Sequence, residues 1–467
     1  MILPLTTSIL HDVKELNPSC AMERTPVGPW LLTPLERFLL SCDTASSPMM
    51  IRVVLRFTGN CCVDQLRDSL QRAIVRHPLL SCRLGKATGR PAWIFGEPEP
   101  VKVTRTSGTV FETETGPVTN TINLNRSTGL HAEIRELDNG VKVFLDAHHA
   151  VTDGNGLRQM ITDWLHLYHC GVTGTAIRLP VLDPNRLARR DCFPQPAAVS
   201  PISLREAVRN FLLTVRGRTA RWMRIRAVTM HAPESWRGYS VEQILTVEQS
   251  DRLHEKLAAW KVTLNDLVLA CCMSTFAGVA PGVSNSHRIT IMNPTDLRMP
   301  SDRSLPAANR FGIAFLRRRP VECIHPEEIL RGLQDEMSYV RSNYIGAEFL
   351  KGLAAASRYQ FGIALIRRLG FFVPSMQWTC LGDVTRGAKR LLPWKNGVLS
   401  TGGLTLESAT GFAPCAPGVP LSVAACETGR RIALTVHSSP IFLTDDETRT
   451  FAEKLLEQIC EFEEHPC

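Results

Sequence analysis

The stretch from Val141 to Tyr168 constrains the fold of this chain more than any other. Apolar residues alternate through Val141, Val143, Leu145 and Ala147, then recur at helical spacing through Leu157, Met160, Ile161, Trp164, Leu165 and Tyr168. A period of two marks a strand and a period near 3.6 marks a helix. The intervening His148-His149-Ala150-Val151-Thr152-Asp153-Gly154-Asn155-Gly156 is therefore a tight loop joining the two. Upstream, Asp138-Asn139-Gly140 separates two alternating runs, a strong hairpin signal, so the strand leading into the histidines is the second arm of a hairpin.

If the alternation continues, His149 shares the apolar face with Val141, Val143, Leu145 and Ala147, while His148 lies with Lys142, Phe144 and Asp146 on the other. Desolvation at the mouth of an apolar channel keeps a histidine neutral, so near pH 7 it can take a proton from an attacking hydroxyl or amine. Asp153 stands where a helix N-cap belongs or where an arginine would find a partner. Gly154 permits a sharp turn and leaves its N–H for a developing oxyanion. Three other readings compete. Ordinary residues at a strand end are one. Metal ligation by His148, His149 and Asp153 is another, but adjacent histidines on opposite faces do not converge on one ion without further ligands. A dinucleotide loop is the third, and it fails because Gln159 occupies the place of its last glycine.

The rest of the chain repeats this mixture of elements. Ile51, Val53, Leu55 and Phe57 alternate ahead of a helix through Leu66, Leu70, Ala73 and Ile74, with Asp64 placed as its N-cap. Later, Ile289 and Ile291 mark a strand, Leu421, Val423 and Ala425 face Ile432, Leu434 and Val436 in a hairpin, and a charged helix runs from Asp445 to Phe462. A chain of 467 residues exceeds one ordinary core. The reading is two α/β (α+β) units, residues 1–185 and 236–467, joined by a basic crossover over 186–235 that includes Arg205, Arg209, Arg216, Arg218, Arg221, Arg224 and Arg226.

Several classes are disfavoured. Leu267 to Val283 is broken by Ser274, Thr275, Gly278, Pro281 and Gly282 and is shorter than a bilayer span, so it reads as a buried helix. Met1 to Leu10 has no basic start, and Asp12 and Lys14 interrupt it, which points away from a signal peptide and toward the cytoplasm. The fifteen cysteines form no CxxC pair and read as reduced thiols. A net charge of +8 over this length does not indicate a nucleic-acid binder.

His148-His149-Ala150-Val151-Thr152-Asp153-Gly154 resembles the HHxxxDG signature of the superfamily that holds chloramphenicol acetyltransferase-like enzymes, peptide-synthetase condensation domains, alcohol acyltransferases and wax ester synthase/diacylglycerol acyltransferases. Arg76-His77-Pro78-Leu79-Leu80-Ser81-Cys82-Arg83 is similar to the segment after that family's first long helix. Thr263 to Ala270, with Asn265 and Asp266, resembles the "ND" segment of the wax ester synthase branch. Asn293-Pro294-Thr295-Asp296-Leu297-Arg298 and Asn309-Arg310-Phe311-Gly312 resemble the regions beyond it. Gly129-Leu130-His131 and Thr379-Cys380-Leu381-Gly382 depart from the patterns of those branches, and the plant-type DFGWG motif is absent.

The resemblance implies two chloramphenicol acetyltransferase-like subdomains with a tunnel at their interface, entered by acyl donor and acceptor from opposite sides. It implies acyl transfer from a thioester to a hydroxyl or amine, with His149 as general base and Gly154 as oxyanion donor. Arg83 is expected to pair with Asp153, and His148, Asn265, Asp266, Asp296 and Arg298 to support the site as caps or buried ion pairs. The implied co-substrate is acyl-coenzyme A or a phosphopantetheine-linked acyl group on a separate carrier protein, with no metal and no permanently bound cofactor. A stand-alone condensation enzyme and a non-catalytic lipid- or carrier-binding module are the competing functions. The arginine-rich 205–226 segment and the run from Phe361 to Phe372 read either as solvated helix faces or as contacts to a membrane surface. Two subdomains in one chain make a monomer sufficient.

Overall fold

The alternating runs pair into two large mixed sheets. The computed structural model describes residues 28–464 apart from 118–120, 194–217, 221, 223–237, 360, 369–372 and 396. Most of the basic crossover lies outside the described residues.

In chain order the strands are β1 (Trp30–Leu31), β2 (Met50–Gly59), β3 (Cys82–Ala87), β4 (Arg90–Phe95), β5 (Lys102–Arg105), β6 (Gly116–Pro117), β7 (Leu130–Leu137), β8 (Gly140–His148), β9 (Arg218–Thr219) and β10 (Tyr239–Ile244). They continue with β11 (His287–Asp296), β12 (Phe311–Arg318), β13 (Met376–Asp383), β14 (Trp394–Lys395), β15 (Val398–Thr401), β16 (Leu404–Phe412), β17 (Leu421–Thr428) and β18 (Arg431–Ser438). The first sheet has the order β14-β15-β16-β2-β8-β7-β5, and the second β12-β11-β13-β17-β18-β10-β6 with β9 beside β11. A small sheet, β1-β4-β3, flanks the first. The two hairpins expected from sequence form: Leu137 pairs with Gly140 across Asp138-Asn139, and Val423 and Ala425 pair with Val436 and Leu434.

Helices α1 (Pro34–Cys42), α2 (Val63–Arg76) and α3 (Gly154–Thr173) accompany the first sheet. Val53, Leu55 and Phe57 of β2 and Val143 and Leu145 of β8 enter one core with Leu66 and Leu70 of α2 and Trp164 of α3. Trp164 stands edge-on to Phe57 and donates its indole N–H to the Leu66 carbonyl at 3.2 Å, so this buried indole carries no unmet polar group. One expectation is corrected here. Asp64 lies within the first turn of α2 and Cys62 precedes the helix, with no side-chain cap bond. The Asp64 carboxylate still favours the positive end of the helix dipole, and that preference is easily read as a cap.

The second sheet packs with α4 (Val247–Trp260), α5 (Leu264–Val279), α6 (Pro326–Ser342) and α9 (Asp445–Glu464), while α7 (Gly346–Ala356) and α8 (Gly362–Arg368) lie against α1 and β12. Helix α5 is apolar nearly all round because it is buried nearly all round, from Leu264 to Phe276.

The halves of the sequence exchange strands. β16 follows β15 late in the chain yet pairs antiparallel with β2, Leu404 to Phe412 against Gly59 to Arg52. In return β6, from the first half, pairs with β10. The exchange buries the Arg56 guanidinium, which donates to Glu242 Oε2 at 2.6 Å and to Thr410 Oγ1 at 3.0 Å. A buried charge tolerates this place only with such partners.

Candidate active site

The β8–α3 junction forms as the periodicity predicts. Asp153 is the N-cap of α3, and its Oδ1 accepts the Gly156 amide at 2.8 Å. The Gly154 and Asn155 amides, at the start of the helix, make no hydrogen bond among the described residues. The loop itself is held from outside: the His149 amide donates to the Met49 carbonyl at 2.7 Å, and Asn309 Nδ2 donates to the carbonyls of His149 and Ala150, each at 2.9 Å. Asn309 comes from the second half of the sequence, so both halves fix the histidine's backbone.

The ring of His149 stacks on Phe311, centroids 5.3 Å apart, and its Nδ1 lies 3.1 Å from the Thr152 carbonyl oxygen. A carbonyl only accepts, so Nδ1 carries the proton and Nε2 keeps a free lone pair. Burial pushes the imidazole pKa below its usual value, against the pull of the Thr152 carbonyl and the Asp153 carboxylate. His148 is buried. Its Nδ1 accepts the Ala150 amide at 3.1 Å, and its Nε2 lies 3.4 Å from Asp43 Oδ2.

The partner of Asp153 is Arg298, and the expected pairing with Arg83 is corrected. Arg298 grips the carboxylate in a fork, Nη2 to Oδ1 at 2.7 Å and Nη1 to Oδ2 at 3.0 Å, while the Arg310 amide reaches Oδ2 at 2.8 Å. Arg83 is exposed on β3. The arginine contact that the resemblance implied is met instead from the connection between β11 and β12, because the second sheet closes over the start of α3. Burial alone would raise the Asp153 pKa, but the Arg298 charge, its hydrogen bonds and the two amides hold it below the carboxylate range. Asp296 supports the same guanidinium at 3.1 Å.

Asn265 and Asp266 are brought to a different place, the start of α5. Asp266 completes a capping box with Thr263. Asn265 Oδ1 accepts the indole N–H of Trp378 at 3.0 Å, and Trp378 lines the cavity described next.

A cavity of ≈ 210 Å³ lies between the two sheets and meets His149, Asp153 and Gly154. Its walls are mainly apolar, with Phe38 from α1, Phe315 from β12 and Phe349 from α7. Three polar residues in its lining were not singled out from sequence: Gln377, Thr295 and Ser422. The Thr295 and Ser422 hydroxyls are buried without a protein partner, and Gln377 Oε1 is held by the Ala416 amide at 2.8 Å. Nothing local in the sequence sets them apart from other strand residues.

Leu381 closes one side of the site. Register slips between Cys380 and Gly382 in the pairing of β13 with β17, making a bulge, and Gly382 adopts φ +59°. A Cβ on Gly154 would meet Leu381 Cδ2 at 2.1 Å, and one on Gly411 would meet Cδ1 at 2.3 Å. Two glycines from different elements thus make room for one leucine beside the histidine.

Residues 32–187 match the Condensation domain family. A search of curated proteins returns no match. Among solved structures, the chain resembles the TRI3 trichothecene 15-O-acetyltransferase from Fusarium sporotrichioides, with a TM-score of 0.67 at 12% identity over 97% of this chain and 100% of that one. It also resembles the first condensation domain of the CDA synthetase, TM-score 0.64 at 14% identity over 95% and 98%. A third likeness is to the starter condensation domain of rhizomide synthetase, solved with C8-CoA and Leu-SNAC, TM-score 0.60 at 13% identity over 94% and 95%. At these identities the likeness shows the fold, and the family match over the histidine loop adds acyl transfer as the general chemistry. The chain thus has the two-sheet fold shared by condensation domains and this acetyltransferase, and its residues 32–187 carry the Condensation domain match.

Proposed function

We propose that the protein transfers an acyl group from a thioester, acyl-coenzyme A in the first instance, to a hydroxyl or amine, with His149 as general base. The observation that carries this reading is the locked tautomer: Nδ1–H is committed to the Thr152 carbonyl, leaving Nε2 basic at the wall of an apolar cavity. As the acceptor attacks the thioester carbonyl, its proton passes to Nε2. The tetrahedral oxyanion is met by the unengaged Gly154 amide at the positive end of α3. Collapse of that intermediate breaks the carbon–sulfur bond, and the imidazolium returns its proton to the departing thiolate. Asp153 takes no proton in this scheme. Its carboxylate is saturated by Arg298 and two amides, so it holds the loop in shape. The solved complex of the starter condensation domain with C8-CoA supports coenzyme A as donor, and the condensation-domain likeness keeps a carrier-borne donor as the second reading.

The test is thiol release from acyl-coenzyme A donors of graded length with mixed alcohols and amines. Acceptor-dependent release is expected from the parent, and His149→Ala should reduce it by ~10²–10⁴-fold with its thermal unfolding unchanged. Equal turnover in both proteins would remove His149 from the chemistry. Release only from an acylated carrier protein would select the second reading, and silence with every donor would leave a binding module.

A further inference from the structure

We propose that α8 and the turn before it form a docking surface for an anionic lipid bilayer, packed behind the helices that line the apolar cavity. Tyr359, Phe361 and Leu365 are 73%, 72% and 54% exposed. They lie within two consecutive turns, since the Gly362 amide bonds to the Tyr359 carbonyl and the Leu365 amide to the Phe361 carbonyl. Phe361 and Leu365 stand four residues apart on one outward face, while Ile363 is buried beneath them. A tyrosine, a phenylalanine and a leucine presented together suit the boundary between headgroups and acyl chains.

Charge decides the kind of surface. From Arg341 to Arg368 the sequence holds five basic residues, Arg341, Lys351, Arg358, Arg367 and Arg368, against the single acid Glu348. That stretch supplies half of the chain's net charge of +8 in a small fraction of its length. Glu348 is engaged by Lys351, whereas Arg358 beside the aromatic pair is exposed and has no carboxylate partner among the described residues. An unpaired arginine beside exposed aromatics matches an anionic headgroup layer over an apolar one.

Position gives the surface a use. α8 packs on α1 and α7, whose Phe38 and Phe349 meet edge to face at 5.5 Å in the cavity wall. Val373 and Pro374, a few residues beyond α8, line the same cavity. The aromatic face is therefore carried by the helix that backs the cavity-lining α1 and α7, so a docked bilayer would lie on the side of the molecule where those helices wall the cavity. Its use in supplying an acyl chain rests on the acyl-transfer reading; the surface itself does not.

The experiment is co-sedimentation of the full chain with vesicles of phosphatidylcholine alone and of phosphatidylcholine with phosphatidylglycerol, at low and high salt. Binding to the anionic vesicles that weakens with salt is expected. The Phe361→Glu/Leu365→Glu variant should lose it by about tenfold or more, and Arg358→Glu by about fivefold or more, given roughly that factor per basic residue at an anionic surface. His149→Ala should bind as the parent does, so a failed acyl-transfer assay and a failed docking assay are told apart. Absence of vesicle binding by the parent, or variants that bind equally well, would overturn the proposal. So would a patch that proves to hold a second copy, seen as concentration-dependent dimerisation lost in the double variant without vesicle binding, or one engaged only by an acidic carrier protein.

Discussion

At the scale of single residues, protonation is the variable that the site controls. His149 is neutral because burial lowers its pKa, so its folded state resists a proton that the unfolded chain accepts. Activity should therefore be flat above about pH 6.5, the ordinary histidine value, and fall only on its acid side, as the lowered pKa of His149 is approached. The pH profile of kcat/KM checks this, and an inflection above the ordinary value would contradict the tautomer and burial argued here. His437, buried with Nδ1 3.0 Å from Ser240 Oγ, is pushed down to about 4 by the same desolvation. Its contribution to stability is complete above its unfolded pKa near 6.5 and declines as pH falls from there toward 4. The decline amounts to ~3 kcal/mol if the whole shift is realised. Denaturant titrations at descending pH should show it, and His437→Gln should flatten that slope.

Elements meet at the site through close approaches that leave no room for a side chain. Gly154 begins α3, Gly411 lies in β16, and Leu381 bulges from β13 between them. A methyl group added at Gly154 must displace Leu381, which is tied to a bulge whose carbonyl Arg158 also reaches. Gly154→Ala should cost ~1–3 kcal/mol by overpacking, and pairing it with Leu381→Ala should recover most of that loss. Chemical denaturation of the two single variants and the double variant measures the coupling. Additive losses would mean that the two residues are not in contact. The sequence singled out Gly154 for its turn and its amide. Leu381 escaped because a bulge depends on pairing with β17, which no local pattern encodes.

For the whole molecule, the salient fact is that the two halves are tied at the site as well as by the exchanged strands. Arg298, from the end of β11, forks onto Asp153 at the start of α3, and both are largely buried. Arg298→Met should leave a carboxylate without its charge partner and cost ~3 kcal/mol or more, the usual penalty for breaking a buried pair from one side. The Gly156 and Arg310 amides would remain to hold Asp153 partly. Thermal unfolding and the cleavage rate of the β8–α3 loop by protease both report on it. The same acid-side loss is expected of Asp153: its lowered pKa makes its contribution full above the unfolded carboxylate value and lost as pH falls through the folded one.

The local patterns carried a good deal. Alternation and helical spacing specified β2, β8, α3 and the closing hairpin, and the order His148 to Gly154 specified a strand-loop-helix junction with Asp153 as its cap, because each is decided by residues within one or two turns of one another. What the sequence could not decide was which distant groups converge there. Arg83 and Arg298 are equally plausible arginines for Asp153 in one dimension, and only the folding of the second sheet over α3 chooses Arg298. The same closure places Asn309 on the His149 carbonyl, Leu381 between two glycines, and the unmet hydroxyls of Thr295 and Ser422 in the cavity wall. Apart from the approach of Leu381 to Gly411, those contacts join positions more than a hundred residues apart. Their geometry follows from sheet registers and strand exchange, which are set by the packing of the whole chain.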